Sequence, residues 1–567
     1  MHSKWLIVSL LSIIVLGTIW SLFKPGFYRA HDYVHAARIV EMSRSLQAAH
    51  IPPRWSENFG YGYGMPLFNF YAPLPYVIGG IFFLFGFSAI ASIKLLILLS
   101  SIGTAWGGYR LGSLLFGRAG GVIVAATATL APYRALNLFV RGALSEAWGM
   151  LWIPWIMYAG LRVTQKKGGF ILLVLSVTGI LLSHNLVALM ALPFTFLWTV
   201  GMLVVMGHQQ QKKIADVSQR VGSLLAGYVL GAGCASWYLL PALLEKQHTK
   251  LDATILTGYF DFRLHFLYIR QLFSPLWGYG GSQWGPDDGL SFFLGWGQLM
   301  GLALGVLSAF YFLKKGVSRQ PSMRYSALFF SFFCLVATLA LSLSHAAPIW
   351  EYVSFFKYFQ FPWRWLSVAT VFVSLVAGAS TTFIKNKLAR GFVMGVILIF
   401  TFFNMAYFRP ESYLDNAEAL YYTDSTRIRT EMSGVLPDYI PSGLNTAELV
   451  PNPPLISQTD SLRKVEIIVD RPQEKLLNLS LEYQDTITFN IAYFPGWRIE
   501  IDGVPAVLEP SDQGLINARI PEGDHIVGVF FAESRVRRLA NIMSVVSLLT
   551  LLYYASAQQW PSQKKKL

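Results

Sequence analysis

Apolar runs of about twenty residues, the length a helix needs to cross a bilayer, recur along this chain. The first of them, Trp5 to Phe23, is already long enough. Only 13% of the 567 residues are charged, about half the ~25% share of a soluble domain, so the polar surface is too small to cover a globule. The chain is therefore expected to be an α-helical polytopic membrane protein. The apolar stretch at the N-terminus lacks a small-residue cleavage site and reads as an uncleaved anchor.

The placement of basic residues orients the spans. The formal charge is +14, but Lys and Arg cluster in short links between apolar runs. That pattern is the positive-inside signature, and it argues against a nucleic-acid partner. The clusters are Lys4, Arg118, Lys166 with Lys167, Lys212 with Lys213, Lys314 with Lys315, Arg319 and Arg324, Lys385 with Lys387 and Arg390, and Lys564 to Lys566. All fall on one side if spans run over 5–23, 89–114, 119–136, 147–163, 169–184, 186–206, 221–240, 292–313, 325–344, 366–384, 391–408 and 539–556. That is about twelve spans, with both termini cytoplasmic in the plasma (inner) membrane. Segment 71–88 is also apolar, but counting it as a span would reverse every later loop. It reads as a re-entrant or juxtamembrane helix, which requires its polar backbone to be buried in protein or to line a cavity.

Five sizeable segments then lie outside: 24–88, 134–146, 241–291, 345–365 and 409–537. The last is polar and carries alternating runs such as KVEIIVD, LLNLSLEY, TITFNIAYF and HIVGVFFA, with the turn signals IDG and PEGD. The expected organisation is a transmembrane domain over 1–408, an external β-rich domain over 409–537, and a final helix with a basic tail over 538–567. Cys234 and Cys334 both sit inside apolar runs and read as small core residues.

Acids are few, and each one has a side. Asp32 follows the first span by nine residues, and Glu146 stands where an external loop re-enters the membrane. Charged groups at such depth are costly and are normally functional or paired. Asp32 would otherwise serve as the N-terminal acid of a helix over 32–50. Glu146 would otherwise pair with Arg141 or Arg134. His31 and His35, four apart, share a face if that helix has begun by His31, and with Asp32 they would offer a divalent metal three ligands. The alternative is a helix with two histidines on its wet face. Arg54, Arg134, Arg141 and Arg364 are candidates for a phosphate, which suits the guanidinium fork. Arg364 lies in the aromatic loop FQFPWRW. Glu245 stands at the start of another external segment, in the neighbourhood of an acceptor or metal. The run NFGYGYGMPLFNFYAPLPY is not a phosphate loop, since it lacks the Lys-Ser/Thr step and the strand–helix context.

Several of these stretches together resemble the GT-C superfamily of membrane glycosyltransferases. They are His31-Asp32 at the start of the first loop, IPPRW, GYGMPLFNFYAPLPY, the LFGR turn, APYR and VRGALSE. WYLLPALLEK, SPLWGYGGSQWGPDDG and FQFPWRWL look like a bacterial membrane group labelled 6-pyruvoyl-tetrahydropterin synthase-related. The tail AYFPGWRIEIDGVPA to IPEGDHIVGVFF is similar to YfhO-like proteins. No pterin-synthase zinc–histidine triad is present, so that label carries no chemistry. The GT-C resemblance implies transfer of a sugar from a polyprenyl-phosphate donor to an extracytoplasmic glycan, lipid or protein. Asp32 matches the first-loop acid and Glu146 the approximate second, which makes them the expected catalytic pair. Where some relatives have two acids at the first position, this sequence has one, so metal dependence stays open, with a divalent metal the one candidate cofactor. The rival expectations are a transporter or flippase of a lipid-linked glycan, and a non-catalytic scaffold of the same fold.

Overall fold

The computed structural model describes residues 2–163, 167–254, 258–314, 323–382, 384–415, 423–434 and 437–559. Of the basic clusters, Lys166, Lys315, Arg319 and Lys564 to Lys566 lie outside the described residues. The protein is a helical membrane protein with a β-rich region just before its last helix.

Among the described residues, seven helices are long and apolar enough to cross a membrane. An eighth is added if Ile214–Cys234 and Ser236–Leu244, bent by 72°, form one span. The continuous apolar stretch Ala89–Arg141 holds two of the expected spans. The chain reverses at Gly117, where φ is +79°. A Cβ built on Gly112 would lie 2.9 Å from the Cα of Gly121, and one on Gly108 would lie 3.2 Å from the Cα of Ala125. The two arms therefore pack backbone to backbone, and the small residues of both arms are what permits it. The expected spans 147–163, 169–184 and 292–313 fall on Leu144–Leu161, Lys167–Ser183 and Trp296–Lys314, which are shorter or less apolar. Each of the twelve expected spans overlaps helical residues, 221–240 on the two bent helices Ile214–Cys234 and Ser236–Leu244.

Segment 71–88 forms an eleven-residue helix, Leu74–Leu84. At 1.5 Å per residue it covers about half of the ~30 Å hydrocarbon layer. It packs on the helix His35–Gln47, where Gly79 sits against Ile39 and Gly80 against Met42. Beyond its end, Phe85 and Phe87 are exposed.

The β-rich region has two sheets. One joins five strands in the order Leu462–Arg471, Glu474–Leu481, Gly523–Phe531, Trp497–Ile501 and Val504–Ala506. The other joins Asp485–Ala492, Leu515–Ile520 and Leu508–Pro510. Alternation places Leu477, Leu479, Ile487, Phe489, Ile516, Val527 and Val529 in one core. All four strand-like runs of the sequence lie in these strands. The IDG signal is a tight turn with Asp502 at φ +50° and Gly503 at φ +77°.

The glycine-rich run 58–64 anchors this region to the bundle. Trp55 meets the rings of Trp497 and Phe531 at 5.2 and 5.1 Å. The Ala492 amide donates to the Tyr63 carbonyl at 2.7 Å, and Lys475 pairs with Glu57 at 2.7 Å. Buried Glu41 accepts from the Ser56 hydroxyl and the Asn58 amide, both at 2.6 Å, which pins the base of the run. Gly64 has φ +81°, and a Cβ there would lie 2.5 Å from Nε1 of Trp55. Gly64→Ala is therefore expected to cost about 1–3 kcal/mol, from the left-handed backbone alone or more with the clash. A thermal scan of the purified variant in detergent checks this, and an unchanged melting temperature would contradict it.

Candidate active site

The first loop enters the site as an extended strand held on both sides. Phe27 and Tyr28 pair with Leu414 and Tyr413. On the other side, the Tyr28 hydroxyl donates to the Leu138 carbonyl at 2.9 Å, and the amides of His31 and Asp32 donate to Val140 and Arg141 at 2.9 and 2.8 Å. Gly142 makes this approach feasible. It has φ +71°, and a Cβ there would lie 2.3 Å from the Asp32 carbonyl oxygen. The same contact sets Asp32 beside the Arg141–Glu146 segment.

Asp32 does not cap the following helix. That helix runs His35–Gln47, its N-cap is Val34, and no side chain caps it. The helix also starts too late to put His31 on one face with His35. His31 and Asp32 lie past the two-residue strand Phe27–Tyr28, with His31 in a bend. His31 turns to the Tyr279 carbonyl, 2.8 Å from Nε2, and lines a separate cavity of about 750 Å³ with Arg29, Tyr33 and Glu411.

Asp32 instead joins His35 and Arg38, at a spacing of three. Its Oδ2 lies 3.2 Å from Arg38 and 3.9 Å from His35. Its Oδ1 is buried with no hydrogen-bond partner among the described residues, while the carboxyl side chain keeps 25% of its surface exposed. The Tyr71 ring covers the Arg38 guanidinium at 4.0 Å. The Tyr76 hydroxyl lies 2.7 Å from His35 Nδ1 and accepts from Arg38 at 3.4 Å. His35 Nε2 meets the Gly142 carbonyl, a pure acceptor. The ring must donate there, so Nδ1 accepts from Tyr76. Burial, followed by Arg38, lowers the His35 pKa despite the opposing pull of Asp32. Burial also pushes the Asp32 carboxyl up, but Arg38 and His35 together outweigh it and hold the group below the usual carboxylate value.

The second cluster is built on Glu146, in the first turn of Leu144–Leu161. Its Oε1 accepts from the Tyr133 hydroxyl at 2.6 Å and from the Asn137 amide at 3.3 Å. Its Oε2 pairs with Arg141 at 2.8 Å and with Arg364 at 3.8 Å. The Trp363 ring covers Arg141 at 4.4 Å. Arg364 also donates to the Phe359 carbonyl and to Gln360, at 2.8 and 2.7 Å, and its Nε is buried without a hydrogen-bond partner. Both carboxylate oxygens of Glu146 are thus occupied, whereas one of Asp32 is not.

A third wall comes from the segment before the β region. Tyr439 stacks on Phe70 at 5.8 Å and meets Tyr71 edge-on at 6.2 Å. Next to it, Asp438 is buried. Burial raises its pKa, against Thr254 and Arg38, which lower it.

The other candidates lie elsewhere. Arg134 is fully buried between helices and donates to Ser100 and to the Ala147 carbonyl, at 3.3 and 3.4 Å. Arg54 pairs with Glu533 at 2.8 Å and donates to Asn69 and Asn541, both at 2.9 Å. Glu245 accepts from that same Asn69 at 2.9 Å and pairs with Arg537 at 3.2 Å. Arg54 and Glu245 thus belong to one buried network that fastens the first loop to the start of the last helix. Sequence reasoning left Tyr133, Asn137, Asp438 and Tyr439 out of the site, and reached Tyr71 and Tyr76 only as part of the aromatic run 58–76, which suits a sugar or lipid site or simple interfacial anchoring. For Arg38 the signal was present, as the second step of the Asp32–His35 spacing.

A divalent ion does not fit the Asp32 donor set. Arg38 holds one carboxylate oxygen, both His35 nitrogens are engaged, and His31 faces away. Among the described residues, no group of three His, Cys, Asp or Glu side chains is placed to hold a metal.

A family described as 6-pyruvoyl-tetrahydropterin synthase related domain, membrane protein, matches residues 68–409. The match takes in Arg141, Glu146 and Arg364, but not Asp32. No curated protein matches. Among solved structures, the arabinofuranosyltransferase AftD from Mycobacteria is similar at 14% identity and a TM-score of 0.47, over 72% of this chain and 27% of that one. The chain thus spans about a quarter of AftD. The Archaeoglobus fulgidus oligosaccharyltransferase is similar at 13% identity and a TM-score of 0.43, over 76% and 59% of the two chains. ArnT from Cupriavidus metallidurans, solved with undecaprenyl phosphate, is similar at 13% identity and a TM-score of 0.37, over 80% and 82%.

Proposed function

The chain belongs to the 6-pyruvoyl-tetrahydropterin synthase related family of membrane proteins, and we propose that it is a glycosyltransferase. It moves a sugar from a polyprenyl-phosphate donor to an acceptor hydroxyl outside the cytoplasm. The observation that carries this reading is the state of Asp32. One of its oxygens is held by Arg38, the other has no side-chain partner, and two backbone bonds fix the group beside Arg141.

In the proposed step, the partnerless oxygen of Asp32 accepts the proton of the acceptor hydroxyl. The hydroxyl oxygen forms a bond to the anomeric carbon, and the bond from that carbon to the donor phosphate oxygen breaks. The electron pair leaves with the lipid phosphate. Asp32 ends protonated, and the anomeric configuration inverts. Arg141 and Arg364 offset the charge that grows on the phosphate. Glu146 acts through them, because its own oxygens are taken. It fixes the two guanidiniums at the membrane edge. No step runs through a metal. The basic clusters support a plasma-membrane orientation with cytoplasmic termini and the site on the external face.

Arg38→Gln tests the reading through pH. Asp32 must be ionised to act as a base, so the rate is lost as pH falls through its pKa. Arg38 keeps that pKa below the usual value of about 4, so the wild-type rate is expected to stay flat through mildly acid pH. Removing Arg38 raises the pKa, and the acid limb should move to higher pH. The pH–rate profile of the two proteins checks this. Superimposable acid limbs would refute the pairing of Arg38 with a catalytic Asp32.

A further inference from the structure

A second cavity, of about 630 Å³, lies in the loop region 270–292 and has no part in the step above. Three of its lining side chains carry buried polar atoms with no partner among the described residues: Nε2 of Gln271, Nε1 of Trp277 and the hydroxyl of Ser291. Gln271 and Ser291 keep only 7% and 5% of their surface. A buried donor left unmade costs about 1–3 kcal/mol, so three gathered on one cavity are not a neutral feature of packing. Two of the three are also fixed in place. The Gln271 oxygen accepts from the Tyr268 amide at 2.7 Å, which leaves its NH₂ to point elsewhere. Trp277 is stacked on Tyr407 at 4.7 Å.

The charges around the cavity narrow the ligand. Asp287 and Asp288 both line it, together with Arg270, and Arg270 is already bonded to Asp287 at 2.5 Å. The carboxylates oppose an anion, which removes phosphate as the occupant. Two N–H donors, a hydroxyl and carboxylate acceptors at one concave surface match a neutral polyhydroxyl compound, each of whose hydroxyls both gives and takes a hydrogen bond. Burial pushes the Asp288 carboxyl up to about 6. The cavity also lies near the first loop. The next residue but one after Trp277 is Tyr279, whose carbonyl holds His31, and Asp288 lies within electrostatic range of Tyr259, as does Arg141.

We propose that this cavity is a saccharide-binding subsite, in which Gln271, Trp277 and Ser291 donate to sugar hydroxyls and Asp287 and Asp288 accept from them. Its role as the seat of the acceptor glycan rests on the glycosyltransferase reading, whereas its binding of sugar does not.

The test is binding to the full-length protein in lipid nanodiscs, without any donor. The probes are soluble oligosaccharides of glucose, galactose, mannose, arabinose and N-acetylglucosamine. Tryptophan fluorescence and saturation-transfer NMR give the readouts. At least one probe is expected to bind saturably. Gln271→Glu keeps the oxygen that caps Tyr268 but loses the donor, and Trp277→Phe keeps the stacked ring but loses the N–H. Each should weaken binding about tenfold, the scale of one hydrogen bond, as should Ser291→Ala. Asp32→Asn should bind as the wild type does. No saturable binding by any probe, or equal binding by the wild type and all three variants, overturns the subsite. Either result would leave the Asp32 chemistry standing, whereas loss of binding in Asp32→Asn alone would move the saccharide to the Asp32 site and overturn the proposal as well.

Discussion

Asp32→Asn is expected to lower the rate of sugar transfer by a factor of about 10²–10⁴, the contribution of a positioned general base. The substitution keeps the shape of the side chain. Its amide oxygen still accepts from Arg38, and the backbone bonds to Val140 and Arg141 do not involve the side chain. The fold and the affinity for the lipid donor should therefore be unchanged, while the melting temperature falls because buried Arg38 loses the charge of its partner. The proton of the acceptor hydroxyl would have no place to go, because Glu146 is fully bonded and His35 has both nitrogens engaged. Single-turnover kinetics with purified protein separate the rate from binding. A variant with reduced affinity and an intact chemical step would show that Asp32 holds the substrate and does not act on it.

Glu245→Ala is expected to have the largest effect on stability, about 3–5 kcal/mol, because it strands the buried guanidinium of Arg537. Glu245 is 4% exposed and Arg537 is fully buried. The same carboxylate accepts from Asn69 at 2.9 Å and from Ser534 at 2.5 Å, so three side chains lose their common partner. The expected result is low yield and a clearly reduced melting temperature. Removing both charges, as Glu245→Ala with Arg537→Ala, should cost less than the sum of the single changes, because the stranded charge is gone. A stable single variant, or strict additivity, would mean that the network does not fasten the last helix to the first loop.

The parts of this fold that sequence reasoning reaches are those where one local signal decides the structure. Spans follow from apolar length. Strands such as Glu474–Leu481 follow from alternation, and the reversal at Gly117 from the LFGR turn between two apolar arms. The Asp32–His35–Arg38 cluster was half legible. The spacing of three is in the sequence, but the joint grouping of His31 and His35 assumed a helix begun by His31, whereas it starts at His35. The network of Arg54, Glu245 and Arg537 was not legible. Its members are separated by some hundreds of residues, and nothing local marks an arginine that will end up fully buried. Arg54 looked like a phosphate ligand because its free guanidinium chemistry is the same in either place. The partnerless atoms of Gln271, Trp277 and Ser291 are invisible in principle at that level, since a missing partner exists only once the fold is formed.

The central claim is that Asp32 drives transfer from a lipid-phosphate sugar. It is tested most directly by release of polyprenyl phosphate from a radiolabelled polyprenyl-phosphate sugar in nanodiscs that contain the purified protein and an oligosaccharide acceptor. The account predicts release by the wild type, matched by label in the acceptor, and almost none by Asp32→Asn. Equal release and labelling by the two proteins, or no release by the wild type with any donor sugar, would contradict it.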